Sequence, residues 1–426
     1  MHQARQKRFF YGWIIVIACF FVTFSYGLFY TFGIFFKPLQ AEFGWGRGLT
    51  SSIHSIHLAT FAFSTILMGR LTDKYGPRMA ITLGAVLVGI GISLCSRVST
   101  VGQFYLFYAV ASFGAGVIWA PPTATVQRWF IKRRGLTLGL VAAGVGAGML
   151  VYAPLAEYLI SAYGWRTSYI ILGVGTGLIL ALTASVMVRS PTEKGLKPYG
   201  GEEPTPGTSS ATEDASLRGN CKASGSEEWT TKEAIKTKAF LGTSILYLAT
   251  LLPIHMIAVH LVPYATDLGV SEAVAANAFG LVGAFSIAGR IGMSSAADKI
   301  GWRWGLVICC GGCTAMLLWL TSISSLWMLY LFVVLYGFLY GGKVPLLPGL
   351  IGSFFGTRSL AEITGTIHAI SMLGAAAGPF LGGWIFDRTE SYFIAFVICA
   401  ALWALAAVIS AILKPPRKMP ESLGIT

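Results

Sequence analysis

Charged residues are scarce in this chain. Only 12% of its 426 residues are Asp, Glu, Lys or Arg, about half the share of ordinary soluble domains. Acidic residues are the scarcer kind, with 18 Asp and Glu against 31 Lys and Arg. This composition excludes most cytosolic enzymes, and the 55% of hydrophobic residues points to the interior of a membrane.

Cysteine is also infrequent. Six of the seven residues fall in apolar runs, and Cys221 lies in a polar stretch. Their spacing fits neither a disulfide framework nor a set of metal ligands. We interpret them as small hydrophobic side chains, and we expect neither a metal site nor a cofactor.

Long apolar runs fill most of the chain. A helix needs about 20 apolar residues to cross the hydrocarbon core of a bilayer. Twelve runs have this length: 12–36, 48–69, 78–96, 101–126, 136–161, 166–188, 239–265, 273–296, 304–322, 326–354, 360–386 and 392–413. We therefore predict an all-α membrane protein with twelve transmembrane helices.

One long polar stretch separates spans six and seven. Residues 189–238 are rich in Gly, Pro, Ser, Thr, Glu and Lys, which predicts a flexible linker. It leaves a six-helix bundle at 1–188 and a second one at 239–426.

Basic residues orient the spans. With both termini in the cytoplasm, the inside segments hold 24 of the 31 basic residues and the outside loops hold five. This bias is the one expected of inner loops. The net charge of +13 thus follows from topology, and we expect no nucleic-acid partner.

The two halves repeat at a fixed offset of 225 residues. Gly69-Arg-Leu-Thr-Asp-Lys-Tyr-Gly-Pro-Arg78 follows span two, and Ser294-Ser-Ala-Ala-Asp-Lys-Ile-Gly-Trp-Arg303 follows span eight. A duplicated six-helix unit is typical of alternating-access carriers. The charged residues of these loops are the predicted cytoplasmic gate: Asp73, Arg78, Asp298 and Arg303. Asp73 can pair with Arg78 or with a neighbouring helix.

The first of these loops resembles the signature of the major facilitator superfamily. Tyr11-Gly12-Trp13 in span one, and the run from Trp129 to Leu140 that opens span five, resemble the paired signatures of the monocarboxylate transporter family. Similar runs occur in the related oxalate/formate exchangers. The resemblance implies the major facilitator fold, with two six-helix bundles, and transport of small organic acids.

Three positions relate this chain to residue roles in that family. An Arg in span eight of the family binds the substrate carboxylate, and Arg290 stands at that position. Animal members place an Asp four residues before this Arg, where this chain has Ser286, and a Lys in span one, where it has Tyr30. Because the proton-handling pair of those members is absent here, proton coupling has to be argued from other residues.

Arg290 is the main candidate for binding an anion. Placing Arg at the centre of a membrane helix costs about 2.5–3.5 kcal/mol, so we treat it as functional. Helical side chains lean towards the helix N-terminus, which directs Arg290 to the membrane midplane. The residues three and four positions away include no acid. A bound carboxylate fits the guanidinium fork; an ion pair with another helix is the alternative.

Lys343 is a second intramembrane cation. It lies at the depth of Arg290 and shares a helical stripe with Tyr336 and Tyr340. We assign these three to substrate contact, and Lys343 also to proton coupling. Equally, Lys343 can be structural, as the partner of a carboxylate or as an anchor at a helix bend.

Further candidates line the predicted cavity. Tyr26 and Tyr30 lie four residues apart in span one beside Leu28, and tyrosines supply both apolar surface and hydroxyl donors. Asn277 is a costly amide in an apolar run. Core packing is the alternative reading of these side chains.

Histidine can change charge near neutral pH. Of the five histidines in spans, we choose His260 as a proton-coupling candidate, because it shares a face with Met256 and Tyr264. For each histidine, a packing role remains the alternative.

The sequence thus predicts a proton-coupled symporter of small monocarboxylates such as lactate or pyruvate. We expect a monomer in the cytoplasmic (inner) membrane, with the lipid bilayer, the substrate and a proton as its partners. An oxalate/formate-type anion exchanger is the nearest alternative. A membrane enzyme, a sensor or a drug exporter fits the residues less well.

Overall fold

A computed structural model of the chain describes residues 10–200, 229–356 and 359–416, without the side chains of Arg134, Asp298, Leu360 and Ala361. Cys221, Arg358, both termini and the middle of the predicted linker therefore lie outside it. The helices before the linker are α1 (Gly12–Phe24), α2 (Gly27–Tyr30), α3 (Phe32–Phe43), α4 (Arg47–Tyr75), α5 (Pro77–Leu94), α6 (Val101–Ala115), α7 (Ala120–Trp129) and α8 (Arg134–Val186). Those after it are α9 (Thr231–Ile235), α10 (Lys238–Asp267), α11 (Glu272–Ile300), α12 (Trp302–Leu320), α13 (Leu326–Phe355), α14 (Leu360–Ala375), α15 (Ala377–Thr389) and α16 (Phe393–Ile412).

Helices of membrane-spanning length dominate this architecture. Across the described residues, 11 helical segments are long and apolar enough to cross a bilayer. One of them, 135–186, has 52 residues, which at 1.5 Å per residue amounts to about 78 Å of helix in total, enough for two crossings. Its backbone leaves the helical conformation at Gly164, where φ is 75°. Predicted spans five and six are thus parts of α8 on either side of this glycine.

The predicted repeat is visible in the helix boundaries. α4 and α11 begin 225 residues apart and end 225 residues apart, and so do the starts of α5 and α12. Between the paired helices stand Gly76 and Gly301, with φ of 90° and 85°. This left-handed region strongly favours glycine, so both halves use the same turn for the same steric reason.

The chain divides into two compact units. The first contains residues 1–45, 50–201 and 261–284, and the second contains 46–49, 202–260 and 285–426. In each unit, large apolar side chains fill the interior, for example Phe35 and Trp129 in the first and Phe332 and Trp403 in the second. Other apolar side chains remain exposed, as expected for helices that face lipid.

Candidate functional site

The predicted cytoplasmic gate loop is held by basic residues of neighbouring segments. The Asp73 carboxylate accepts a hydrogen bond from Arg128 of α7 at 3.2 Å, and Arg189 donates to the Asp73 carbonyl at 2.7 Å. Arg78 is exposed. Of the two partners expected for Asp73, the structure shows the one on a neighbouring helix.

The matching loop of the second half is anchored differently. Arg303 donates from Nε to the carbonyl of Ser410, near the end of α16, at 3.1 Å. The side chain of Asp298 lies outside the described part. The turn is shared by both halves, whereas the observed partners of Asp73 and Arg303 are not.

The two segments that carry the family resemblance lie against each other. The ring centroid of Tyr11 is 5.7 Å from that of Trp129, and the ring centroids of Trp13 and Phe130 are 5.2 Å apart. The Tyr11 hydroxyl also donates to the carbonyl of Val186 at 2.8 Å. The paired motifs therefore form one aromatic cluster at the start of α1.

Arg290 faces the interior of its unit. Its side chain is 7% exposed, whereas that of the next residue, Ile291, is 67% exposed. Because successive residues on a helix point about 100° apart, the exposed Ile291 fixes the lipid-facing side of α11. The guanidinium is thus covered by protein and does not share the exposed side of α11.

The helices that carry Arg290 and Lys343 touch through glycines. A methyl group at Gly289 would overlap the carbonyl of Phe338, and one at Gly341 would overlap the backbone of Ser286. Small residues allow such close approach of membrane helices. The contact holds the backbone beside each cation. The backbone of neither residue can therefore move without separating α11 from α13.

Lys343 is buried, with 3% exposure, and is surrounded by rings. Its Nζ lies 5.8 Å from the centroid of Tyr247 and 6.0 Å from that of Trp403. These distances are at the limit for a cation–π attraction. Among the described residues, no carboxylate lies within ion-pair distance of this amine.

The aromatic stripe of α13 has the predicted periodicity. Tyr336 and Tyr340 are stacked with ring centroids 6.2 Å apart, and Phe332 continues the stack at 5.0 Å from Tyr336. Both tyrosines are buried. They form an ordered aromatic wall on the helix that carries Lys343.

In the first unit, Tyr26 and Tyr30 face the same direction as predicted, with ring centroids 5.4 Å apart. Leu28, which lies between them in the sequence, is also buried. Asn277, by contrast, is exposed on α11. Its contribution to binding stays a prediction.

A buried polar chain that the sequence analysis did not identify begins at Tyr26. The Tyr26 hydroxyl lies 3.4 Å from Nε2 of His57, and His57 Nδ1 lies 2.8 Å from Ser112 Oγ. Ser112 donates to the carbonyl of Tyr108 at 2.6 Å, so its oxygen accepts from Nδ1. Only the spacing between the tyrosine and the histidine could have suggested these contacts. Sequence periodicity relates residues within one helix, so it does not show which residues of different helices meet.

His260 contacts two polar groups of the second unit. Its Nδ1 lies 3.0 Å from the Tyr392 hydroxyl, and its Nε2 lies 2.8 Å from the carbonyl of Pro379. In the first unit, Lys37 pairs with Asp267 at 2.8 Å. Lys37 and Asp267 follow predicted spans one and seven, and Tyr392 is the first residue of predicted span twelve. Sequence alone cannot name the partners of residues at span ends.

Comparison with known proteins agrees with this architecture. The model of the Major Facilitator Superfamily matches residues 15–291 and 239–425. The solved structure of the xylose transporter XylE from E. coli, in an inward open conformation, superposes with a TM-score of 0.74 at 13% identity, covering 96% of this chain and 97% of XylE. A bacterial homolog of the human lysosomal transporter Spinster gives a TM-score of 0.68 at 14% identity, covering 94% and 96%.

Sequence relatives are more specific. Monocarboxylate transporter 12 of Xenopus laevis is 28% identical, with 96% of this chain and 91% of the relative covered. Monocarboxylate transporter 11 of Homo sapiens is also 28% identical, with 96% and 84% covered. The chain therefore belongs to the major facilitator superfamily as a multi-pass membrane protein, a transporter and not an enzyme, and over most of its length it is similar to monocarboxylate transporters.

Proposed function

We propose that this protein is a secondary active transporter that carries small monocarboxylates, such as lactate or pyruvate, together with a proton by alternating access. The observation that supports the proposal most directly is the orientation of Arg290. A guanidinium that is directed into the protein in a membrane-spanning helix suits a carboxylate, since its planar fork can donate two parallel hydrogen bonds.

Apolar and hydroxyl-bearing side chains would complete the binding site. We assign this role to Tyr26, Leu28 and Tyr30 from the first half and to Tyr336 and Tyr340 from the second. Three-carbon acids offer only a methyl group and one further oxygen beyond the carboxylate. Aromatic walls with a few hydroxyl groups match that chemistry.

A coupled proton would make the transport cycle electroneutral. Moving one net charge across the membrane costs about 2.3 kcal/mol per 100 mV, and a proton carried with the anion removes this term. Lys343 supports such coupling because a buried amine that has no carboxylate beside it in the described part of the chain can change charge with the transport cycle. His260 is the second candidate for handling the proton.

Uptake into proteoliposomes tests the proposal. With the outside at about one pH unit below the inside, labelled lactate should accumulate, and a protonophore should abolish the accumulation. Arg290→Ala should remove uptake, while Arg303→Ala, a cationic residue of the gate loop, should still bind lactate. Accumulation of lactate that depends on neither the pH gradient nor the protonophore would contradict symport.

An oxalate/formate-type anion exchanger is a second candidate, because two buried cations, Arg290 and Lys343, are available in the second unit. Two cations suit a dianion better than one. Exchange predicts that unlabelled anion inside the vesicles accelerates uptake of labelled anion in the absence of any pH gradient. A symporter accumulates lactate without internal anion.

The proposed setting is the cytoplasmic (inner) membrane, with both termini in the cytoplasm and the protein as a monomer. The six-helix bundles would comprise 1–188 and 239–426, joined by a linker at 189–238. The distribution of basic residues supports this orientation. A fluorescent reporter fused to the C-terminus, which folds only in the cytoplasm, tests it.

A further inference from the structure

The start of α4 is held by an acidic residue that is distant in sequence. The Asp387 carboxylate accepts the backbone N–H of Arg47 on one oxygen and that of Gly48 on the other, each at 2.7 Å. First-turn amides of a helix have no partner within the helix, and a negative charge there is favourable. Asp387, at the end of α15, thus caps α4.

Glycines make this contact one of backbone against backbone. A methyl group at Gly383 would overlap the carbonyl of Arg47, and one at Gly48 would lie 3.2 Å from the backbone nitrogen of Trp384. Larger residues at these glycines would hold α4 and α15 apart. The fit is therefore specific, and it includes residues three and four positions before the acid.

The Arg47 side chain adds a second connection. Its guanidinium carbon lies 3.6 Å from the ring centroid of Phe386, and its Nη1 donates to the Tyr392 hydroxyl at 2.7 Å. Arg47 is partly exposed and Tyr392 is buried. The arginine thus links the surface to a buried hydroxyl.

The hydrogen bonds of His260 determine its protonated nitrogen. The Pro379 carbonyl can only accept, so we assign the ring proton to Nε2. Nδ1 then accepts from the Tyr392 hydroxyl, whose oxygen accepts from Arg47. Each donor in the series from Arg47 to Pro379 therefore points the same way.

A proton added to His260 would disrupt this order. It would occupy the Nδ1 lone pair, and the Tyr392 hydroxyl would lose its acceptor. The Tyr392 oxygen would then face two N–H donors, and a new imidazolium would stand near the Arg47 guanidinium with one hydroxyl between them. Asp387 is the acid in this cluster, and its negative charge favours the imidazolium form of His260. Attraction between the imidazolium and Asp387 would compete with the hydrogen bonds that Asp387 accepts from the amides of α4.

We propose that His260, Tyr392, Arg47 and Asp387 form a proton-operated latch: one proton bound at His260 Nδ1 releases the first turn of α4 from α15. In the predicted orientation this latch lies on the outer side, so it gives the proton of the proposed symport an entry site. The inference rests on the proposed function in that respect only.

Hydrogen–deuterium exchange of the purified full-length protein without substrate tests the latch directly. The Arg47 and Gly48 amides have Asp387 as their partner, so their protection from exchange reports the closed latch. After correction for intrinsic exchange rates, their protection should fall at least about threefold from about pH 7.5 to about pH 4, a range wide enough to add a proton to a histidine that burial keeps neutral. The start of α6, capped by Thr100 through the Gln103 amide, is the internal control and should not change.

Variants assign the effect to His260. In His260→Gln the protection should be the same at both pH values, and Tyr392→Phe should give the same result if the glutamine variant does not fold. Asp387→Asn should lower protection at both pH values. Constant protection in the wild type, or a fall that persists in His260→Gln, overturns the latch.

These outcomes are separable from those of the transport assay. Exchange is measured without lactate, so failure of lactate uptake leaves the latch result valid. If uptake is driven by protons but the protection of the Arg47 and Gly48 amides in the wild type does not change with pH, only the latch is refuted.

Discussion

Replacing Arg290 by lysine should weaken binding of the carboxylate while keeping the positive charge. A guanidinium donates two parallel hydrogen bonds to a carboxylate, whereas an ammonium group acts as a point charge. Losing one charge-assisted hydrogen bond costs about 1.5–3 kcal/mol. At about 1.4 kcal/mol per tenfold change, the Kd for lactate should rise about 10- to 150-fold.

The structure leaves little room to compensate for the shorter lysine side chain. Gly289, the residue before Arg290, packs against the Phe338 carbonyl so closely that a methyl group would overlap it. This close contact therefore limits how far α11 can move relative to α13. Repacking should recover only a small part of the lost affinity.

Isothermal titration of lactate into purified protein measures this change. Arg303→Lys is the matched control, because Arg303 is a cation of the same unit that donates to the Ser410 carbonyl. It should leave the Kd unchanged. A Kd for Arg290→Lys within about twofold of the wild type, with both variants equally folded by thermal denaturation, refutes the assignment of Arg290 as a bidentate anchor.

Three further substitutions test other parts of the structure. Lys343→Met should leave thermal stability equal or higher, since it removes a buried charge, but should abolish accumulation of lactate by a pH gradient; unchanged accumulation excludes Lys343 from coupling. Gly289→Ala should lower the free energy of unfolding by about 1–3 kcal/mol through overlap with the Phe338 carbonyl, whereas Gly139→Ala, which has open space around it, should not; equal denaturation curves would contradict the close contact. Asp73→Asn removes a partly exposed ion pair with an arginine and should cost less than about 1 kcal/mol in the same assay; a larger loss would mean that the pair is structural.

The helices and the repeat were predictable because their signals are local. Length and apolarity define a span, and a turn such as that at Gly76 needs a left-handed residue wherever it occurs. Exact helix ends were less predictable. Predicted span one, 12–36, is the series α1 to α3, and predicted spans five and six are two helical stretches that meet directly at Gly164.

Polar contacts between distant segments could not be predicted. Asp387 looks like an acid at the end of a predicted span, and its two acceptor bonds go to backbone amides at Arg47 and Gly48. Every non-proline residue carries such an amide, so the sequence gives no indication of which one is bound. The chain from Tyr26 through His57 to Ser112 is similar, because it joins three helices.

The rotation of a helix about its axis decides whether an intramembrane cation faces lipid or the interior of the protein. An arginine near the inner half of a span can reach for headgroups or face the protein, and both are compatible with the same sequence. The exposed Ile291 and the glycine contact at Gly289 lie on opposite sides of α11. Arg290 lies about 100° from each, and its 7% exposure shows that this lateral side of the helix is covered by protein. Lys343 follows Gly342 on α13, where a methyl group would overlap Met293 of α11. The same pair of helices thus carries both cations in the interior of the second unit.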